Sequence, residues 1–263
     1  MRFHCGLLAL VALAWGAALL PGSGARPAPP PIWQEGFEVA DRGAWQELQA
    51  CCAHSFHTVP ARLAAGARVG RFEVRPGDAL EDGTARAQLS AAQTPKGEEV
   101  NFTEGMDRWF GWSMRLANTY PTDPDKWAVL MTWKDAGEGE GPLKLGTSFE
   151  PNTFRLEGPG GDRVYWRGPL VRGAWLDFLV RVKFSTNPSI GFIEVWYKRP
   201  GDNELVRQRL ADGSQRMQLA TMEPGTSHSY LKTGIYRDPS FATPSVAWFD
   251  RLRIGTSFEA AAR

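Results

Sequence analysis

The strongest constraint on this chain is its rhythm. Short runs of β-branched and aromatic residues are broken repeatedly by Gly, Pro, Asn and Asp. The runs include Arg71-Phe-Glu-Val74, Trp109-Phe-Gly-Trp-Ser-Met-Arg-Leu116, Trp127-Ala-Val-Leu-Met-Thr-Trp133 and Trp175 to Ser185. Ile190-Gly-Phe-Ile-Glu-Val-Trp-Tyr197, Tyr230-Leu-Lys-Thr-Gly-Ile-Tyr236 and Val246 to Ile254 continue the series. Between them fall turn signals such as Pro76-Gly77-Asp78, Asp82-Gly83, Gly158-Pro-Gly-Gly161, Pro200-Gly-Asp202 and Glu223-Pro-Gly225. Many short strands so spaced predict an all-β sandwich or barrel. Helical periodicity is weak; Gly43 to Ala53 is the best segment for a helix, and it is short enough to be a turn instead. No repeat and no linker divides the chain after Pro31, so one β-sandwich domain over residues 32–263 is expected. With 11 Trp and 14 Phe the chain can fill such a core and still line a groove with rings. Trp112, Trp133 and Trp196 are assigned to the filling.

Residues 1–25 read as a removable segment. Arg2 precedes a fifteen-residue apolar run from Gly6 to Leu20, and small residues follow at Ser23-Gly24-Ala25. That is the plan of a secretory signal peptide. The run is short for a membrane span, which needs about 20 residues. Residues 26–31 then form a Pro-rich N-terminal strap. The expected product is secreted (periplasmic in a bacterium), free of the membrane after cleavage, and a monomer. The 30 Lys and Arg against 29 Asp and Glu exclude a polybasic nucleic-acid arm or an acidic tail as the main theme.

Three Cys are too few for a disulfide scaffold. Cys51 and Cys52 stand adjacent in Ala50-Cys-Cys-Ala-His54-Ser-Phe-His57, and vicinal cysteines seldom pair because the ring is strained. The expected arrangement is a strand with two buried thiols and two incidental imidazoles. A metal cluster of Cys52, His54 and His57, or a dimer-forming disulfide, are the other readings of this stretch.

On strands the chemistry must be sought at period two. In Ser229 to Asp238 that period puts Tyr230, Lys232, Gly234 and Tyr236 on one face, with Leu231, Thr233 and Ile235 on the other. Gly234 removes bulk where a ligand would approach the backbone. In Thr84 to Ser90, Arg86 pairs with Gln88; in Leu130 to Lys134, Thr132 shares a face with Lys134. Taken singly, each set is an ordinary solvated strand face.

Taken together and in order, these segments resemble a polysaccharide lyase family. Arg71-Phe-Glu-Val-Arg-Pro-Gly-Asp78 followed by Arg86-Ala-Gln-Leu89 is similar to its "RFEL-x-x-GD … RAEL" stretch. Trp109 to Leu116 with Tyr120-Pro121 resembles "YGWS-x-x-LP", and Trp127 to Asp135 stands where a "QWH" or "QWK" strand falls. Trp175 to Ser185, Gly191 to Trp196 and Phe249 to Gly255 look like its later strands. Tyr230-Leu-Lys-Thr-Gly-Ile-Tyr-Arg237 is similar to "YFKxGIYR", the most specific match. The family includes heparin lyase I, and glucuronan and alginate lyases share its plan. The resemblance implies a concanavalin-like β-jelly roll of two antiparallel sheets, with a concave cleft for an acidic polysaccharide and no cofactor. It implies Tyr236 as acid or base at the leaving oxygen, Tyr230 as a second candidate for proton transfer, Lys232 for substrate binding and Arg86 for neutralising the carboxylate.

Lyases of this kind remove the C5 proton of a uronic acid and expel the oxygen on C4. The neighbouring carboxylate must be neutralised and the developing enolate stabilised by cationic or amide donors. Where relatives carry Gln, this chain has Thr132, which supplies no amide; Lys134 keeps a cation but is a poor base. Gln88, replacing the acid of "RAEL", is the candidate to restore the amide from a neighbouring strand. His228 is placed at the cleft rim, and Arg237 alternates to the supporting face. Arg86, Lys134, Lys232 and Arg237 are expected to make one sheet locally basic, with acids in loops elsewhere.

Two further signals are Asn101-Phe-Thr103, an N-glycosylation sequon in a eukaryote, and the acidic loop Asp135 to Gly141. The loop reads as a mobile cover over the cleft, with calcium as the one conceivable ion. The alternative to a lyase is a non-catalytic, lectin-like jelly roll. A glycoside hydrolase on a similar sandwich needs two carboxylates about 5–9.5 Å apart. Glu194 is one candidate, without a partner.

Overall fold

The computed structural model describes residue 1 and residues 28–39, 41–61 and 68–262. The expected signal segment, apart from Met1, and the first two residues of the strap lie outside the described residues.

In chain order the strands are β1 (Trp33–Glu35), β2 (Trp45–Ala50), β3 (Phe56–Pro60), β4 (Arg68–Val74), β5 (Ala85–Ala92) and β6 (Asp107–Leu116). There follow β7 (Ala128–Asp135), β8 (Leu143–Gly146), β9 (Thr153–Glu157), β10 (Val164–Pro169), β11 (Trp175–Lys183) and β12 (Phe192–Lys198). Last come β13 (Val206–Arg207), β14 (Met217–Gln218), β15 (Ser229–Arg237), β16 (Ser245–Gly255) and the short helix α1 (Phe258–Ala261). The segment offered as a helix, Gly43 to Ala53, is an edge strand. Its Trp45 and Leu48 pair with Ala92 and Leu89 of β5, and those tertiary hydrogen bonds outweigh a weak local preference.

Two antiparallel sheets result. One runs β10-β9-β8-β7-β15-β5-β2; the other runs β13-β12-β11-β6-β16-β4-β3, with β1 beside β16 and β14 beside β12. The chain crosses between sheets at β1–β2, β2–β3, β4–β5, β5–β6, β6–β7, β10–β11, β14–β15 and β15–β16, so sequence-distant strands become neighbours in a jelly-roll arrangement. Alternation sends Phe72, Phe110, Phe178 and Phe249 of one sheet against Leu89, Trp133, Leu156 and Ile235 of the other. At about 25 cal/mol per Å², each such side chain contributes about 2–3 kcal/mol relative to exposure. Trp112 and Trp133 belong to this core as expected. Trp196 does not: it packs with Leu179 and Ala261 on the outer face of its sheet, covered by α1.

A bulge interrupts the strands that matter most. Between Thr233 and Tyr236 on β15 the register with β7 shifts, and β7 shifts against β8 between Val129 and Met131. Gly234 has φ 129°, and an added Cβ would lie 2.2 Å from the carbonyl of Ala87 and 3.0 Å from Phe72. This corrects the expectation that Gly234 opens room for a ligand. Its missing side chain faces β5 and the core, and the glycine is there to make the bulge.

Candidate active site

Register, rather than sequence, assembles the polar face of the seven-stranded sheet. One row crosses six strands: Glu47 on β2, Ser90 on β5, Lys232 on β15, Thr132 on β7, Lys144 on β8 and Glu157 on β9. The next row places Gln49, Gln88 and Gly234 side by side, and the one beyond pairs Arg86 with Tyr236. Neighbouring strands lie about 4.8 Å apart and alternate residues about 6.8 Å, so these groups share one surface of sugar-residue dimensions. A cleft of about 350 Å³ opens over it, lined by Arg86, Gln88, Thr132, Lys134, Lys232 and Tyr236. Trp127, Lys144, Phe149 and Glu157 complete its walls, with Gly139, Glu140 and Gly160 at its edge.

Two donors in this cleft have nothing to donate to. The side-chain amide nitrogen of Gln88 is buried, on a residue only 2% exposed, and has no hydrogen-bond partner. The Lys232 ammonium meets no acceptor among the described residues; burial first, and then Arg86, push its pKa down to about 8. An orphaned buried donor such as the Gln88 amide is costly to keep unless a ligand satisfies it, and the half-buried Lys232 ammonium stands ready for the same ligand. Tyr236 is held from both sides. The Arg86 guanidinium lies 4.7 Å from its ring centroid, and the Trp127 ring meets it edge-on at 4.6 Å. Arg86 is itself aimed by Thr84 at 2.9 Å, Asp82 at 3.1 Å and Gln49 at 3.3 Å.

Not every expected residue joins the group. Tyr230 lies opposite Lys134 but is not among the cleft-lining residues; burial, then Glu99 and Glu47, raise its pKa. The His228 ring lies tilted 6.4 Å from that of Tyr230, its Nδ1 is hydrogen-bonded with Ser227 Oγ at 2.9 Å, and it also stays outside the lining. Lys134 is present but engaged: its Nζ donates to the carbonyls of Asp135 at 2.7 Å and Gly137 at 2.8 Å, and burial lowers its pKa. Thr132 faces Lys232 directly.

Arg237 is fully buried on the opposite face, donating to Thr243 O and Ser245 Oγ, so it supports the strand from beneath. The basic character therefore comes from Arg86, Lys134, Lys144 and Lys232. It is tempered by Glu140 and Glu157 inside the cleft, where only cations were expected.

Lys144, Glu157, Trp127 and Phe149 escaped the sequence reading. The alternation Leu143-Lys-Leu-Gly146 turns Lys144 away from the core but does not by itself mark it as a cleft residue. Glu157 lies 3.0 Å from Arg155, and burial raises its pKa. Glu194 sits in the other sheet, clasped by Arg181 at 3.1 Å, Arg216 at 3.0 Å and Arg207. The hydrolase reading loses it.

Two carboxylates of the acidic loop are engaged by protein groups. Asp135 is buried, accepting from Ser229 Oγ and from the Glu223 N–H at 2.6 Å, while Glu140 pairs with Lys144. Cys51 and Cys52 are not buried thiols in a strand but a vicinal disulfide in the turn after β2. Cys51 is exposed there, and chain adjacency holds the two Cα atoms 3.7 Å apart. The alternative reading, a metal cluster of Cys52, His54 and His57, loses its thiol to this disulfide. His54 binds Asp78 at 2.7 Å, and His57 is an exposed residue of β3.

The polysaccharide lyase family model matches residues 37–253. Among solved structures, the chain is similar to an endo-β-1,4-glucuronan lyase of the fungus Trichoderma reesei. The TM-score is 0.62 at 12% identity, covering 87% of this chain and 96% of that one. It is similar to the catalytic domain of a glycoside hydrolase family 131 protein from Coprinopsis cinerea, with TM-score 0.60, 13% identity and coverage of 88% and 96%. It is also similar to a marine alginate lyase of Aplysia kurodai, with TM-score 0.58, 11% identity and coverage of 87% and 100%. At such identities the structures share a fold, which by itself carries several chemistries. No curated protein sequence matches. The family match spans most of the chain: it belongs to the polysaccharide lyase family, and its substrate is a polysaccharide.

Proposed function

We propose that this lyase is exported and cleaves a uronic-acid-containing polysaccharide by β-elimination, with Tyr236 moving the proton. The observation that carries the proposal is the orphaned buried donor Gln88 Nε2 beside the half-buried Lys232 ammonium, in the same cleft as Arg86 and Tyr236. A uronate carboxylate answers both. Held by Gln88, Arg86 and Lys232, it loses its negative charge to the protein, and the adjacent C5 proton becomes removable. As that proton leaves, its bonding pair forms the C4–C5 double bond, the C4–O bond breaks, and the departing oxygen takes up a proton.

Tyr236 is the phenol among the cleft-lining residues, and none of these is a histidine. Serving first as base at C5 and then as acid at the leaving oxygen, it acts on one face of the sugar. Trp127 and Phe149 offer rings on which the sugar stacks. Gln88 takes the place of the amide that Thr132 does not supply. Export is supported by the signal-like plan of residues 1–25.

The test is ultraviolet absorbance of the unsaturated uronide, followed on glucuronan, alginate and heparin. Tyr236→Phe is expected to lower kcat by about 10²–10⁴-fold while binding persists. Gln88→Ala is expected to raise KM and lower kcat together. Full activity in Tyr236→Phe, or cleavage without the unsaturated product, refutes the mechanism.

A further inference from the structure

Glu140 belongs to the glycine-rich loop between β7 and β8. Its Oε2 accepts from Lys144 Nζ at 2.6 Å and from the backbone N–H of Gly160 at 2.7 Å, in the turn between β9 and β10. One carboxylate thus ties the loop to the opposite wall, and all three residues line the cleft. The donors are built in: the Lys144 side chain is only 12% exposed and projects from a strand. The carboxylate is the exchangeable part, since the Glu140 side chain is 55% exposed. It is carried between two glycines of positive φ, Gly139 at 100° and Gly141 at 84°. Both donors hold its pKa down, as they would for any carboxylate placed there.

We infer that Lys144 Nζ and the Gly160 N–H form a second carboxylate-binding subsite, which Glu140 occupies as an internal stand-in until a uronate of the polymer displaces it. This rests on reading the cleft as a polyuronate site. Lys144 lies two strands from Lys232, about 10 Å across the sheet, so the carboxylate it takes belongs to a neighbouring sugar rather than the one being cleaved. Replacing one carboxylate by another at the same donors costs little, and the loop leaves the cleft as the chain enters. Glu140 therefore acts as a competitor that lowers apparent affinity and rejects polymers without a carboxylate at that position.

The test uses the full chain with Glu140→Ala, Lys144→Met and the double variant, assayed for KM and kcat on glucuronan and alginate. Glu140→Ala is expected to lower KM about two- to five-fold, as for loss of a half-exposed ion pair, with kcat within about two-fold. Lys144→Met is expected to raise KM, and Glu140→Ala is expected to have no effect on KM in that background, because the competitor has lost its site. A higher or unchanged KM in Glu140→Ala overturns the inference, since the side chain is then a brace for the wall. So does an equal gain with Lys144 absent. If wild type neither cleaves nor binds either polymer, the polyuronate reading falls, and this inference with it.

Discussion

Lys232→Met removes a buried charge that the fold holds at a cost. The ammonium meets no acceptor among the described residues, and its pKa is pushed down from 10.5 to about 8, chiefly through burial and then through Arg86. That gap, at about 1.36 kcal/mol per unit, is a penalty of about 3 kcal/mol for carrying the proton in the folded state. Methionine fills the same volume without charge, so the variant is expected to be more stable at pH 7 by up to about 3 kcal/mol. The corresponding rise in Tm is roughly 5–10 °C for a chain of this size. The pH dependence identifies the cause. The unfolded lysine keeps its proton to about pH 10.5 while the folded one loses it near 8, so wild-type stability rises with pH in that window. By pH 10 the advantage of methionine should shrink to below about 1 kcal/mol. Urea unfolding followed by tryptophan fluorescence at the two pH values measures both numbers, and the uronide absorbance reports cleavage, which the variant should lose. A variant that is less stable than wild type at pH 7, or equally stabilised at pH 7 and pH 10, refutes the argument.

Gly234→Ala should cost about 3 kcal/mol, combining positive-φ strain with contact against Ala87 O. Gly77→Ala, at φ 85° with no atom within 4 Å of the new Cβ, should cost only about 1 kcal/mol. Equal urea midpoints for the two would show that the positive φ, and not the contact with Ala87 O, sets the loss. Glu194→Gln leaves Arg181, Arg207 and Arg216 facing a neutral group. It should lower stability by about 2 kcal/mol with cleavage per folded molecule unchanged, since the residue belongs to the sheet away from the cleft. A selective loss of kcat there would reopen the hydrolase reading.

What could be read in the sequence was whatever period two controls. Tyr230, Lys232 and Tyr236 do share a face of β15, and Leu231 and Ile235 do enter the core, because alternation on a strand needs no knowledge of its neighbours. The pairing of Arg86 with Tyr236 is different in kind. It depends on which of many strands lies beside β15 and in what register, a choice made by packing across some 150 residues of chain. Gln88 came from the alternation that pairs it with Arg86, and the resemblance supplied only the role of its amide. Lys144 was not found, since a lysine between two leucines describes most solvated strands as well as it describes a cleft wall. The bulge hid in the same way: Gly234 announced a special backbone, but the sequence said nothing about whether ligand or protein lay against it. Glu194 misled because a lone acid on an aromatic strand fits a nucleophile and an arginine clasp equally well.

The seat of α1 has a practical consequence. Gly111 and Gly255 lack the Cβ atoms that would strike Ala261 O and Ala260, so the last described turn lies flat on the outer face of the nine-stranded sheet. Residues 258–262 therefore lie on the side that faces away from the cleft. A fluorophore, a resin linker or a second catalytic module grafted there hangs behind the enzyme, and a polymer many sugars long still reaches the front unobstructed. The same graft placed in the loop of Glu140 stands in the polymer's path. For immobilising this lyase, the choice of attachment point is already made by two missing methyl groups.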